Sequence, residues 1–125
     1  YPTAPFINPE KIKRGMNLLF ESEADSVLPV VRFSYPPQRC LVLRDERIQM
    51  LCPENYNIRS QDFEPYYHDA GQFYCLKSEA LINECKLYCR TSVPIELLER
   101  EVQDIDNEED WEIAEMKYKI LKKLL

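Results

Sequence analysis

The apolar residues of this chain change rhythm along its length, from one every three or four positions to one every second position and back. That alternation restricts the fold more than any other feature. Ile12, Met16, Leu19 and Phe20 recur at helical spacing behind Asn8-Pro9, an N-cap followed by proline where proline fits a helix best. This helix should end near Glu23. Val27-Leu28-Pro29-Val30-Val31 is a continuous run of strand length, with Pro29 pointing to an edge or a bulge. Leu41-Val42-Leu43 and Ile48-Gln49-Met50-Leu51 flank Arg44-Asp45-Glu46-Arg47 as a hairpin around a charged turn. Gln72-Phe73-Tyr74-Cys75-Leu76 reads as a strand, and Ser78 caps a helix running to about Cys89 with Leu81, Ile82, Cys85 and Cys89 turned inward. Pro94 to Leu98 gives another strand. The last helix opens at Asn107, with Asp110 in the capping-box position and Trp111, Ala114, Tyr118, Leu121 and Leu125 as its apolar stripe, Leu124 beside it. Helix and strand in this order predict an α/β domain with a largely parallel sheet.

Composition removes several classes of function. A formal net charge of −6 argues against a general nucleic-acid binder. No apolar run approaches the length of a membrane span. Five cysteines in no zinc spacing, with one histidine, predict free and mostly buried thiols in a reducing cytoplasm rather than a zinc site. The two glycines, Gly15 and Gly71, cannot build a phosphate-cradling loop. A chain of 125 residues suffices for one modest core.

Asp104 and Asp106 alternate just ahead of the last helix, so in extended backbone both carboxylates point to one side. Like charges that close repel unless a cation lies between them, and a paired-carboxylate, oxygen-only site suits Mg²⁺. The same pattern also describes a solvated turn with acidic capping residues. Ligands of open α/β sheets gather at the carboxyl ends of the strands, where this pair sits if Val102 ends a strand. His68, Asp69 and Gln72 offer hydrogen-bonding groups beside Gly71, and Arg59 offers a planar fork for a carboxylate or phosphate. Each also has a plain structural role: surface cation, turn carboxylate, satisfied histidine. A thiol nucleophile paired with His68 is disfavoured, because Cys75 falls inside an apolar strand. Between Arg32 and Tyr67 the aromatics Phe33, Tyr35, Tyr56, Phe63, Tyr66 and Tyr67 exceed what a two-stranded hairpin can cover. The segment must pack on its own domain or on a second copy.

Several blocks occur in order: Tyr1-Pro2-Thr3-Ala4-Pro5-Phe6, Phe33-Ser34-Tyr35-Pro36-Pro37-Gln38-Arg39, Arg59-Ser60-Gln61-Asp62, Tyr67-His68-Asp69-Ala70-Gly71-Gln72-Phe73-Tyr74, and Val102-Gln103-Asp104-Ile105-Asp106 with Asn107 to Trp111. Together they resemble the second half of the acylneuraminate and nonulosonate cytidylyltransferases, most closely the branch acting on pseudaminic acid, over essentially the whole chain. The resemblance implies the C-terminal part of a nucleotide-diphospho-sugar transferase-like, Rossmann-type three-layer fold, with residues 32–67 as a β-hairpin dimerisation excursion. It implies transfer of CMP from CTP to a nonulosonic acid with release of pyrophosphate. Asp104 and Asp106 would be the catalytic, Mg²⁺-binding pair. Arg59, Gln61 and Tyr74, with His68, Asp69 and Gln72, would bind substrate. The resemblance also implies a homodimer whose excursion helps complete the partner's site. The family's glycine- and lysine-bearing nucleotide loop belongs upstream of Tyr1, so this chain is expected to be part of a longer enzyme and inactive alone. The alternatives are a counterpart for N-acetylneuraminate or another acidic sugar, and a non-catalytic dimerisation module.

Overall fold

The computed structural model describes residues 1–123. The chain forms two compact units, one holding Tyr1–Val31 with the chain from Asp69 onward, the other Arg32–His68. The larger unit contains helix α1 (Pro9–Glu21), most of strand β1 (Ser26–Arg32), strand β5 (Cys75–Leu76), helix α2 (Ser78–Glu84), strand β6 (Ser92–Leu97) and helix α3 (Glu108–Leu121). The smaller contains the hairpin of β2 (Leu41–Arg44) and β3 (Arg47–Met50). Strand β4 (Tyr67–Asp69) carries the chain back into the larger unit.

β1 is the axis of the larger unit. It pairs in parallel with β6 from Ser26↔Ser92 to Val31↔Leu97, and antiparallel with β5 through Ser26↔Leu76 and Val27↔Cys75. The sheet is therefore mixed rather than largely parallel. Pro29 is not on an edge strand as its missing N–H would suggest. It registers with Ile95 on one side, while on the other its carbonyl accepts from Ala70 N–H at 3.0 Å, beyond the point where the β5 ladder stops. On that side the neighbour of β1 passes from β5 to β4, and Pro29 takes part through its carbonyl alone. Val27 and Ile95 are fully buried, and with Leu19, Val31, Ala70, Cys75, Leu97 and Val102 they form the core.

Local helix signals are borne out. Asn8 Oδ1 accepts from Lys11 N–H with Pro9 in the first turn, and Asn107 and Asp110 cap α3 reciprocally. The faces these helices bury differ from the expected stripes. α1 buries Gly15 and Leu19, whereas Ile12, Met16 and Phe20 are exposed beside a cavity of about 530 Å³ shared with Phe73 to Ser78. The cause is Gly15: a Cβ there would lie 3.0 Å from Cys75 Sγ and from the Phe73 ring, so only a bare backbone lets α1 approach β5 and β6 so closely. α3 buries Ala114, while Trp111, Tyr118 and Leu121 remain accessible; Leu124 and Leu125 lie outside the described residues. α2 is shorter than expected, starts at Ser78 rather than being capped by it, and stops where Cys85 turns left-handed (φ 51°). Strand structure begins at Cys75 rather than Gln72, and Val102 follows a 3₁₀ turn (Glu99–Glu101) instead of ending a strand. All five cysteines are free, but only Cys75 and Cys89 are buried; Cys40 and Cys85 are exposed.

The smaller unit forms the expected hairpin, in register Leu41↔Met50 to Arg44↔Arg47. Asp45 (φ 48°) and Glu46 (φ 60°) make the two-residue turn, both in the left-handed region that matches the strands' twist. Cross-strand pairing puts Leu41, Leu43, Ile48 and Met50 on one face, and Leu43 and Ile48 are 73% and 69% exposed.

Gly15→Ala tests the helix approach. Alanine improves helix propensity by about 1 kcal/mol, but overpacking typically costs about 1–3 kcal/mol. The expected outcome of urea denaturation is a net loss of about 1 kcal/mol. A rise in stability would show that α1 does not sit this close.

Candidate functional site

The sequence after β4 folds around one carboxylate. Asp69 Oδ1 accepts from Gly71 N–H at 2.8 Å, closing an Asx turn that holds Gly71 at φ +61°. Asp69 Oδ2 accepts from the Tyr88 hydroxyl at 2.8 Å and from the Tyr74 hydroxyl. The Tyr1 hydroxyl stands 3.5 Å from that of Tyr74. Burial and the Asp69 hydrogen bond push the Tyr74 phenol well above its ordinary range. The hydrogen bond to Asp69, then burial, raises Tyr88 from its ordinary 10.0 to about 12. These hydroxyls are held as neutral donors to a carboxylate.

Gly71 links this turn to the acidic stretch. A Cβ at Gly71 would lie 4.0 Å from the Asp104 carboxyl carbon, so the glycine leaves room beside that carboxylate. Gln72 is 2% exposed; its Nε2 donates to the Glu101 carbonyl at 2.7 Å, and its Oε1 is buried without a partner among the described residues. The Lys117 ammonium donates to the Val102 carbonyl at 2.7 Å and to Gln103 Oε1 at 2.9 Å. Gln103 Nε2 donates to the Asp104 carbonyl at 3.0 Å and to Asp110 Oδ1 at 3.3 Å. Asp110 Oδ2 accepts from the Asp106 and Asn107 amides at 3.1 and 3.2 Å. Lys11 pairs with Glu101 at 3.4 Å and donates to the Phe6 carbonyl.

Asp104 and Asp106 are exposed, while Ile105 between them lines a cavity of about 330 Å³ with Pro5, Phe6, Trp111, Ala114 and Tyr118. Exposure thus alternates with partial burial along this loop, outside a regular strand. Among the described residues, no three His, Cys, Asp or Glu side chains converge as a metal cage. Two exposed carboxylates still fit Mg²⁺, which takes one or two from protein and fills its remaining positions with phosphate oxygens and water.

The larger unit thus brings Asp69, Gln72, Tyr74 and Asp104 onto neighbouring segments, with Asp106 on the same loop. The other candidates lie in the Arg32–His68 unit. Arg59 is paired with Asp62 through Nε–Oδ2 at 2.8 Å and Nη2–Oδ1 at 3.1 Å, with Gln61 exposed between them. His68 packs on Phe33, ring centroids 4.9 Å apart. Sequence reasoning missed Tyr88 and Lys117. Tyr88 follows α2 with no motif around it, and Lys117 looks like one of several solvated lysines on α3. Only its place on the helical face near Ala114 distinguishes it.

No protein-family profile matches the chain. It is 32% identical over 121 residues to a curated protein named pseudaminic acid cytidylyltransferase from Campylobacter jejuni subsp. jejuni serotype O:2, covering 96% of this chain and 52% of that one. The same figures hold for the protein of that name from serotype O:23/36. A Helicobacter pylori protein named pseudaminic acid cytidylyltransferase and UDP-2,4-diacetamido-2,4,6-trideoxy-beta-L-altropyranose hydrolase is 31% identical over 106 residues, 84% of this chain and 20% of its own. The resemblance drawn from the sequence blocks is borne out by these homologues. The chain spans about half the length of the first curated relatives it matches.

The Asp69 cluster has a pH signature. A raised phenol pKa means that the fold favours the neutral hydroxyl, a contribution intact below the ordinary 10.0 and lost as pH rises through about 12 for Tyr88. Alkaline titration at the phenolate absorbance band should show late-ionising tyrosines in the wild type and their return towards the ordinary value in Asp69→Asn. Identical titration curves for the two proteins would remove the cluster.

Proposed function

We propose that this chain is the C-terminal part of a CTP-dependent cytidylyltransferase that transfers CMP to a nonulosonic acid, pseudaminic acid foremost, with release of pyrophosphate. The observation that carries the proposal is the adjacency of the Asp104–Asp106 loop and the Gly71 turn, in a chain homologous over 96% of its length to proteins named for that activity. The domain would be of Rossmann-type three-layer architecture, with the mixed sheet on β1 as its C-terminal portion.

In this reading Asp104 and Asp106 hold Mg²⁺. Bound there, the ion would neutralise charge at the α-phosphate of CTP. The chain's own residues do the rest. The open space over Gly71 admits a substrate group beside Asp104. Asp69 fixes the Gly71 turn and the two phenols, so that Tyr74 offers a rigid aromatic wall. The Arg32–His68 unit carries its own proposed substrate-binding residues, Arg59, Gln61 and His68, and use of Arg59 on a sugar carboxylate requires exchange of its pairing with Asp62.

A second reading, a dimerisation module, draws support from the face carrying exposed Leu41, Leu43 and Ile48 with half-buried Met50, and within the enzyme the two readings coincide in a homodimer formed through the hairpin.

The enzyme carrying this chain should form a CMP-sugar from CTP, Mg²⁺ and one of a panel of nonulosonic acids. Asp104→Asn or Asp106→Asn should lower turnover by about a hundredfold or more, the scale of electrostatic transition-state stabilisation, with an unchanged circular dichroism spectrum. Wild-type turnover in both variants across a Mg²⁺ titration would refute the metal assignment. Leu43→Lys with Ile48→Glu, which keeps a favourable cross-strand pair, should convert the dimer to a monomer in light scattering. A wild-type monomer, or a dimer that survives the double substitution, would eliminate the hairpin as the interface.

A further inference from the structure

The backbone bearing Asp104 and Asp106 is irregular, yet its polar groups are tied down at successive points. At its entry, buried Gln72 holds the Glu101 carbonyl. At its exit, the Asp110 carboxylate holds the Asp106 and Asn107 amides. Between these ends the supporting contacts lead back to one side chain. The Lys117 ammonium binds the carbonyl of buried Val102 and the Gln103 side-chain oxygen. Gln103 passes that constraint on, since its Nε2 donates both to the Asp104 carbonyl and to Asp110 Oδ1.

From this network we infer that Lys117 is a positioning residue: from α3 it sets the course of the acidic loop and hence the disposition of the Asp104 and Asp106 carboxylates. The inference rests on the proposed role of that pair. Among the described residues Lys117 bonds to the Val102 carbonyl and Gln103 and to neither carboxylate, so its action is indirect. Burial lowers its pKa, opposed by Glu99, as expected for an ammonium drawn under the loop rather than solvated. An ammonium suits the position because its donors diverge from one point to a carbonyl and an amide oxygen, whereas guanidinium donors lie in a plane. Without it, the Val102 carbonyl is left buried without its donor and Gln103 loses the bond that orients it.

This role differs in sign from a plain charge effect. Removing a positive charge near two carboxylates should tighten cation binding if repulsion were all that mattered. Loss of positioning should weaken it, by about tenfold or more, as for other residues that orient metal ligands.

Terbium(III), a hard oxygen-seeking probe, can be followed on the full chain through luminescence sensitised by Trp111, the single tryptophan. Lys117→Met should raise the half-saturating terbium concentration about tenfold or more, and Lys117→Arg should fall between it and wild type. Lys119→Met, which removes an exposed charge from the same helix, should not weaken binding. Hydrogen exchange in Lys117→Met should speed up at residues 102–107 without a comparable change in the core amides of β1 and β6. Unchanged or tighter terbium binding in Lys117→Met overturns the inference. Asp104→Asn and Asp106→Asn separate it from the reading beneath it. If they leave terbium uptake intact, the metal assignment fails, and the exchange measurement alone then decides whether Lys117 orders the loop: unchanged loop exchange overturns the positioning role. Should Lys117→Met not fold, Lys117→Gln, which retains N–H donors, replaces it under the same criteria.

Discussion

The larger unit depends on β1 being buried on both faces and bonded on both sides. A strand in that position resists slipping, because a one-residue shift would break the six-pair register with β6 and the side-chain packing on both faces. Its fixed position places Ala70 against Pro29, and Ala70 is flanked by the two residues on which the site turns, Asp69 and Gly71. It also fixes β6, whose end leads through Glu99–Glu101 into the acidic loop. The candidate site is assembled from segments that leave the same sheet, which explains how an exposed pair of carboxylates can be well placed without lying on a strand.

The carboxylates of the site differ in their donors. Around Asp69, phenols and a backbone amide satisfy the carboxylate, and the phenols are held protonated. Among the described residues no such donor set surrounds the carboxylates of Asp104 and Asp106; their loop is bound through main-chain groups by Lys117, Gln103 and Asp110. The two carboxylates of the loop are exposed, while the backbone beneath them is bound by protein groups. Such preorganisation lowers the cost of arranging charge at the moment of binding.

The hairpin and the exposed flanks of α1 and α3 share another constraint. Each carries large apolar side chains at accessible positions: Phe20 on α1, Trp111 on α3, and Leu43 with Ile48 on the hairpin. Apolar area of this kind is stabilised by cover.

The sequence by itself determined what is local. Asn8-Pro9 and Asn107 with Asp110 start their helices because a cap satisfies amides within the same turn. The hairpin forms around Asp45-Glu46 because turn and strands are contiguous. The order of blocks from Tyr1 to Trp111 was likewise enough to find the homologous enzymes. Tertiary structure decided what depends on distant partners. Gly15 chose the face of α1 through its closeness to Cys75 and Phe73, against the pull of larger apolar residues. Pro29 entered a central strand, where it bonds through its carbonyl alone at the passage from β5 to β4. Tyr88 reached Asp69, and Lys117 the loop before its own helix, through contacts across the fold that no periodicity encodes. The physical reason is range: caps and turns are closed by neighbours in the chain, whereas a buried carbonyl or carboxylate takes whichever donor the packed fold brings within about 3 Å.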